Sequence, residues 1–119
     1  RYALRGIVYV WKTEQNFRSE VIIAGIVFFM MFIFPLRLIE QLLVSLLIVW
    51  VLALELVNTV LERTIDAVRP QRSEKIKVVK DTMAGAVLIS AAGALVIGMI
   101  IFYPYTRNFV YGLISWFSV

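Results

Sequence analysis

Three observations predict an all-α membrane protein with three crossing helices. Apolar residues make up 61% of the chain against 17% charged, with a mean hydropathy of +0.88, far more apolar than an ordinary soluble domain of 119 residues. Three charge-free runs, Val21 to Phe34, Leu42 to Leu54 and Met83 to Tyr105, each approach or reach the ~20 residues a helix needs to cross a bilayer once flanking residues are added. Lys and Arg gather between and before these runs, which is how topology signals are written. A single domain over residues 1–119 follows, and so few helices enclose little by themselves, so a homo-oligomer is expected.

Residues 1–16 place Tyr2, Leu4, Ile7, Val8, Val10 and Trp11 at helical spacing against Arg1, Arg5, Lys12 and Glu14. That pattern predicts an N-terminal amphipathic surface helix, by itself equally compatible with packing on other helices. A first span follows over about 17–35, ended by Pro35, then a tight turn with Arg37 and Glu40. The second span, about 41–62, continues from the apolar run into a sequence that holds Glu55, Asn58 and Glu62. A charged stretch broken at Pro70 leads to the third span, about 82–104, where Ala86, Ser90, Ala94 and Gly98 recur every fourth position and predict close helix packing. Pro104 is expected to end that helix, leaving residues 105–119, with Tyr111, Trp116 and Phe117, as an interfacial tail. The chain begins at Arg1 without Met, so its first residues are expected to be missing, and no signal peptide is expected.

The distribution of Lys and Arg puts the N-terminus and residues 63–80 in the cytoplasm and the C-terminus outside. Absence of Cys removes disulfides and thiol chemistry; absence of His removes imidazole metal sites and Ser-His catalysis. The net charge of +4 lies beside apolar runs, so it reads as topology, and no nucleic-acid partner is expected.

One polar stripe interrupts the second span. Glu55, Asn58, Glu62 and Asp66 stand at offsets of three, seven and eleven, within roughly 80° of one another on a helix. A charged side chain at a helix centre in the bilayer costs about 2.5 to 3.5 kcal/mol, so such a stripe points to function. Glu14 and Glu20 begin the first span, and Lys80 and Asp81 the third, on the same membrane side. Several carboxylates and an amide, with no His, suit a hard cation such as Mg2+, which completes its shell with water and substrate phosphates. That chemistry points to a nucleotide, with Lys80 or a nearby Arg on phosphate and Glu55 placed to take a proton from a lipid hydroxyl. Asp66, Glu74 and Glu20 are expected only to pair with neighbouring Lys or Arg. No Walker-type or kinase-type phosphate loop is present.

The run Glu55 to Glu62 (ELVNTVLE), followed by Lys80 to Leu88 (KDTMAGAVL), together with Tyr2, Gly6, Glu14 and Asn16-Phe17-Arg18, resembles the bacterial integral-membrane diacylglycerol kinase and undecaprenol kinase family. The resemblance covers residues 2 to about 104. It implies a homotrimer of three-span protomers in the bacterial inner membrane, with active sites on the cytoplasmic face shared between neighbours. It further implies ATP as co-substrate and Mg2+ as cofactor, with Glu55 as general base toward the lipid hydroxyl. Glu14 and Glu62 match the metal-ligand positions, Asn58 a further catalytic position, and Tyr2, Lys80 and Asp81 the nucleotide side. Ser73 stands where some members carry His, and a basic residue upstream of Tyr2 is not in this chain. The stretches Lys80 to Leu88 and Ile100 to Pro104 look closer to the branch associated with undecaprenol, with diacylglycerol the alternative. A competing class is a non-enzymatic membrane scaffold or transporter subunit. Conduction predicts polar groups through the full depth of a span, whereas residues 42–54 offer only Ser45.

Overall fold

In the computed structural model, which describes residues 1–68 and 73–118, four helices follow one another: α1 (Tyr2–Thr13), α2 (Gln15–Ile33), α3 (Leu38–Val68) and α4 (Glu74–Phe117). Three of them, α2, α3 and α4, are long and apolar enough to cross a membrane. The expected break at Pro70 and the charges at Arg69 and Arg72 lie outside the described residues.

Each boundary has a local cause. Glu14 is extended (φ −118°, ψ 110°) and serves both helices at the α1–α2 corner. Its N–H donates to Val10 O at 2.8 Å and its carbonyl accepts from Arg18 N–H at 3.2 Å. Arg18 reaches back to donate to Trp11 O and Lys12 O at 2.8 and 3.0 Å, so a cation caps the negative end of α1. Helix α2 stops at Phe34, which is extended (φ −89°, ψ 146°) because Pro35 follows it. At the start of α3, the Glu40 carboxylate accepts the Arg37 N–H at 3.0 Å, half of a capping box. Ser73 caps α4 by accepting the Ile76 N–H at 3.3 Å.

Each helix packs on its neighbours in sequence, most extensively α3 on α4. The buried apolar core, Met31, Leu36, Val44, Ile101 and Phe102, lies at the α2–α3 turn. Phe34, partly buried, packs against it, with ring centroids of Phe102, Tyr105 and Phe109 at 6.1, 6.5 and 6.1 Å. The Tyr105 hydroxyl donates to Glu40, tying α4 to the start of α3.

One expectation needs correction. Pro104 does not end the third helix, and residues 105–117 are not a separate tail: α4 runs unbroken for 44 residues through Pro104. Proline removes one backbone donor there, but contacts on both sides of it, Phe102 before and Tyr105 and Phe109 after, converge on Phe34 and hold the axis in line. At 1.5 Å per residue the helix is about 66 Å long, roughly twice the hydrocarbon thickness. Along the small-residue row, a Cβ built at Gly98 meets nothing within 4 Å, so there is room there for another helix to approach.

Replacing Tyr105 by Phe is expected to lower stability by about 0.6 kcal/mol and at most about 1.7, the range of hydrogen bonds between membrane helices. Reversible unfolding in mixed micelles measures it. An unchanged midpoint would mean that the aromatic cluster alone holds α4 to the turn.

Candidate active site

The polar stripe of α3 is graded in depth. Glu55 is 5% exposed and Thr59 4%, Asn58 is half-buried, and Glu62 and Asp66 are exposed. The Thr59 hydroxyl donates to the Glu55 carbonyl at 3.0 Å, satisfying its own polar group on the helix and leaving the Glu55 carboxylate for other partners. Around that carboxylate, Glu14, Glu20 and Glu62 lie close enough to act on it electrostatically. Four acids from α2, α3 and the α1–α2 corner therefore share one level of the molecule.

The corner is fastened there by Arg63. Its guanidinium donates to Glu14 Oε1 at 2.5 Å, to Thr13 Oγ1 at 2.9 Å and to the Tyr9 hydroxyl at 2.9 Å. It also lies 5.1 Å from the centroid of the Tyr9 ring. One turn further along α3, Lys80 Nζ meets Asp66 Oδ1 at 2.5 Å and ties the first turns of α4 to the end of the stripe. Beside it is an open cleft of about 620 Å3 lined by Ser73, Glu74, Ile76, Lys77, Lys80 and Asp81.

The sequence-predicted residues thus separate. Glu14, Glu55 and Glu62 come together, with Asn58 on the same stripe. Lys80 and Asp81 line the adjacent cleft, and the Lys80 ammonium is held by Asp66, the salt bridge expected for that acid. Tyr2 stays at the far end of α1, 80% exposed, with Arg5 over its ring at 5.4 Å. Glu20 reverses its expectation. It makes no ion pair among the described residues, and its Oε2 is buried with no hydrogen-bond partner, because the basic residues of this level are committed to Glu14, Asp66 and the α1 carbonyls. Glu74, also expected to pair, makes no ion pair among the described residues and lines the cleft instead. Arg63, Tyr9 and Thr13 were not singled out from the sequence as site residues. For Arg63 the signal was its place beside Glu62, about 80° from Glu55 around the helix.

Two buried oxygen atoms have no partner among the described residues, Glu20 Oε2 and Asn58 Oδ1. Unsatisfied acceptors at a buried level normally mark a ligand, a water or an ion. Among the described residues no group of three or more acids adopts metal-ligand spacing. Hard oxygen donors that contribute only one or two carboxylates fit Mg2+, whose remaining ligands come from water and phosphate. The residues present therefore fit that ion.

Residues 1–102 match the family described as prokaryotic diacylglycerol kinase. Over 103 residues, 87% of this chain and 84% of the relative, the sequence is 37% identical to an undecaprenol kinase of Bacillus subtilis (strain 168). A diacylglycerol kinase of Synechocystis is 34% identical over 105 residues, 87% of this chain and 60% of that protein. A diacylglycerol kinase of Haemophilus influenzae is 31% identical over 90 residues, 76% of each chain.

The crowding of four carboxylates makes a stability prediction. Glu20→Gln removes one like charge and is expected to raise the unfolding midpoint in detergent at neutral pH. A lower midpoint would show that Oε2 has a stabilising partner.

Proposed function

The chain belongs to the prokaryotic diacylglycerol kinase family and is a lipid kinase; on that premise we propose that it transfers the γ-phosphoryl group of ATP to the hydroxyl of undecaprenol in the bacterial inner membrane. The observation that supports this reading is the gathering of Glu14, Glu20 and Glu62 around Glu55, with Lys80 and Asp81 together at the start of α4.

In this reading Glu55 is the general base. Its carboxylate, nearly closed to water at 5% exposure, accepts the proton of the lipid hydroxyl as that oxygen forms a bond to the γ-phosphorus and the bond to the ADP oxygen breaks. Asn58 orients the hydroxyl or a phosphate oxygen through its amide. Glu14 and Glu62 hold Mg2+, which when bound neutralises phosphate charge. Lys80 exchanges Asp66 for phosphate, and Asp81 and Tyr2 serve the nucleotide side. Helix α1, with Leu4, Ile7 and Trp11 exposed, lies on the cytoplasmic membrane surface. The assembly is a homotrimer, a reading supported by the family resemblance alone.

Undecaprenol is preferred because the Bacillus subtilis relative bears that activity in its name at 37% identity and the third span resembles that branch. Diacylglycerol is the second reading, favoured by the names of the Synechocystis and Haemophilus influenzae relatives.

Purified protein given radiolabelled ATP with paired lipids is expected to label undecaprenol faster than diacylglycerol; the reverse order assigns the second reading, and no lipid labelling overturns both. Glu55→Gln is expected to lower turnover by about 100-fold or more. A folded variant at the wild-type rate would remove Glu55 as base. Glu14→Ala and Glu62→Ala are each expected to raise the Mg2+ requirement steeply, and an unchanged Mg2+ titration would refute the ligand assignment.

A further inference from the structure

Arg63 carries a role that general base, metal ligands and phosphate contacts leave unassigned. One guanidinium holds three residues of the α1–α2 corner at once, Glu14 at 2.5 Å and Thr13 and Tyr9 at 2.9 Å each, over the Tyr9 ring. Glu14 sits at the N-cap of α2 but makes no side-chain cap bond, so its carboxylate is committed to Arg63 and not to the helix. Among the described residues the acids near Glu55 make no other ion pair: Lys80 is taken by Asp66, Arg18 by the carbonyls of Trp11 and Lys12, and Glu20 Oε2 has no partner.

We propose that Arg63 is a positioning residue that acts through Glu14, serving as the counter-ion Glu14 gives up when it takes a divalent cation. The proposal rests on the reading of Glu14 as a metal ligand. Three features support an exchange. The pair is part-exposed, 40% on the Arg63 side chain and 32% on Glu14, so it is weak enough to open. Tyr9 and Thr13 are neutral and do not depend on Glu14, so they keep the guanidinium docked on α1 after the carboxylate turns away. The docked cation then keeps the corner at the level of Glu62, so Glu14 moves by side-chain rotation while the α1–α2 backbone stays in place. Arg63 thereby holds the acid ready in the metal-free state and sets a threshold for cation binding.

The test is equilibrium binding of Mn2+, as a stand-in for Mg2+, to the full chain in bicelles without ATP or lipid substrate, followed by the electron paramagnetic resonance signal of free Mn2+. R63Q is expected to bind Mn2+ about fivefold more tightly than wild type, because the competitor for Glu14 is gone. R63K, which keeps the charge but cannot span Glu14, Thr13 and Tyr9 together, is expected between the two and decides the matter if R63Q does not fold. In an E14Q background the R63Q increment is expected to vanish, the signature of coupling between the two residues. Equal or weaker Mn2+ binding in R63Q and R63K overturns the proposal. So does an increment that persists with E14Q, which would mark a general field effect. Absence of Mn2+ binding in every protein, wild type included, overturns the metal reading itself along with the exchange.

Discussion

Hydrocarbon cannot solvate charge, and that constraint arranges everything else in this molecule. Within the bilayer every backbone group must be satisfied inside its own helix, which leaves helices as the only spanning elements. The same medium drives carboxylates to the ends of those helices, where lipid gives way to water. Glu14, Glu20, Glu55 and Glu62 come from segments far apart in sequence, yet they act on one another across space. Two connected spans, α2 and α3, with the corner that leads into α2, bring them near one another. Such a gathering suits the surface chemistry proposed for this chain.

The two ends of the bundle are built on different principles. At the α2–α3 turn, Phe34 is enclosed by Phe102, Tyr105 and Phe109, and Glu40 is bonded by both Arg37 and Tyr105. Apolar burial and satisfied polar groups coincide there. At the other end, among the described residues, two buried acceptors, Glu20 Oε2 and Asn58 Oδ1, have no hydrogen-bond partner. Unsatisfied acceptors are costly, and a fold retains them where a ligand completes them. The buried apolar core is at the turn end, and the unbonded acceptors are at the end where acids crowd.

Much of this was legible in the sequence. Charge-free runs located the spans, and the 3.6-residue period put Glu55, Asn58 and Glu62 on one face. Prolines were read less well. Pro35 and Pro104 look alike as residues, yet Pro35 ends a helix and Pro104 lies inside one. The difference lies in long-range contacts: Tyr105 reaches Glu40 across 65 positions, and periodicity contains no information about such pairs. Arg63 was hidden for the same reason, since its partner Tyr9 lies 54 positions away. Glu20 was misjudged because pairing was argued from the abundance of nearby Arg and Lys. What decides it is which cations are already taken, and Arg18, the nearest in sequence, is turned toward the carbonyls that end α1.

The continuity of α4 bears on how this chain extends the family pattern. The family match ends at residue 102, but the contacts that fasten the turn do not. Tyr105 supplies the bond to Glu40, and Phe109 supplies one of the three rings around Phe34. Residues beyond the matched region therefore complete the core instead of trailing from it. A helix that carries a proline and still holds its line needs packing on both sides of that proline, and Phe102 and Tyr105 flank it on either side. The aromatic content of residues 105–117 thus has a structural use near Pro104. Farther on, Tyr111, Trp116 and Phe117 are exposed, where a rigid helix carries apolar rings past the thickness that a 30 Å hydrocarbon core, by its usual dimension of about that size, can cover.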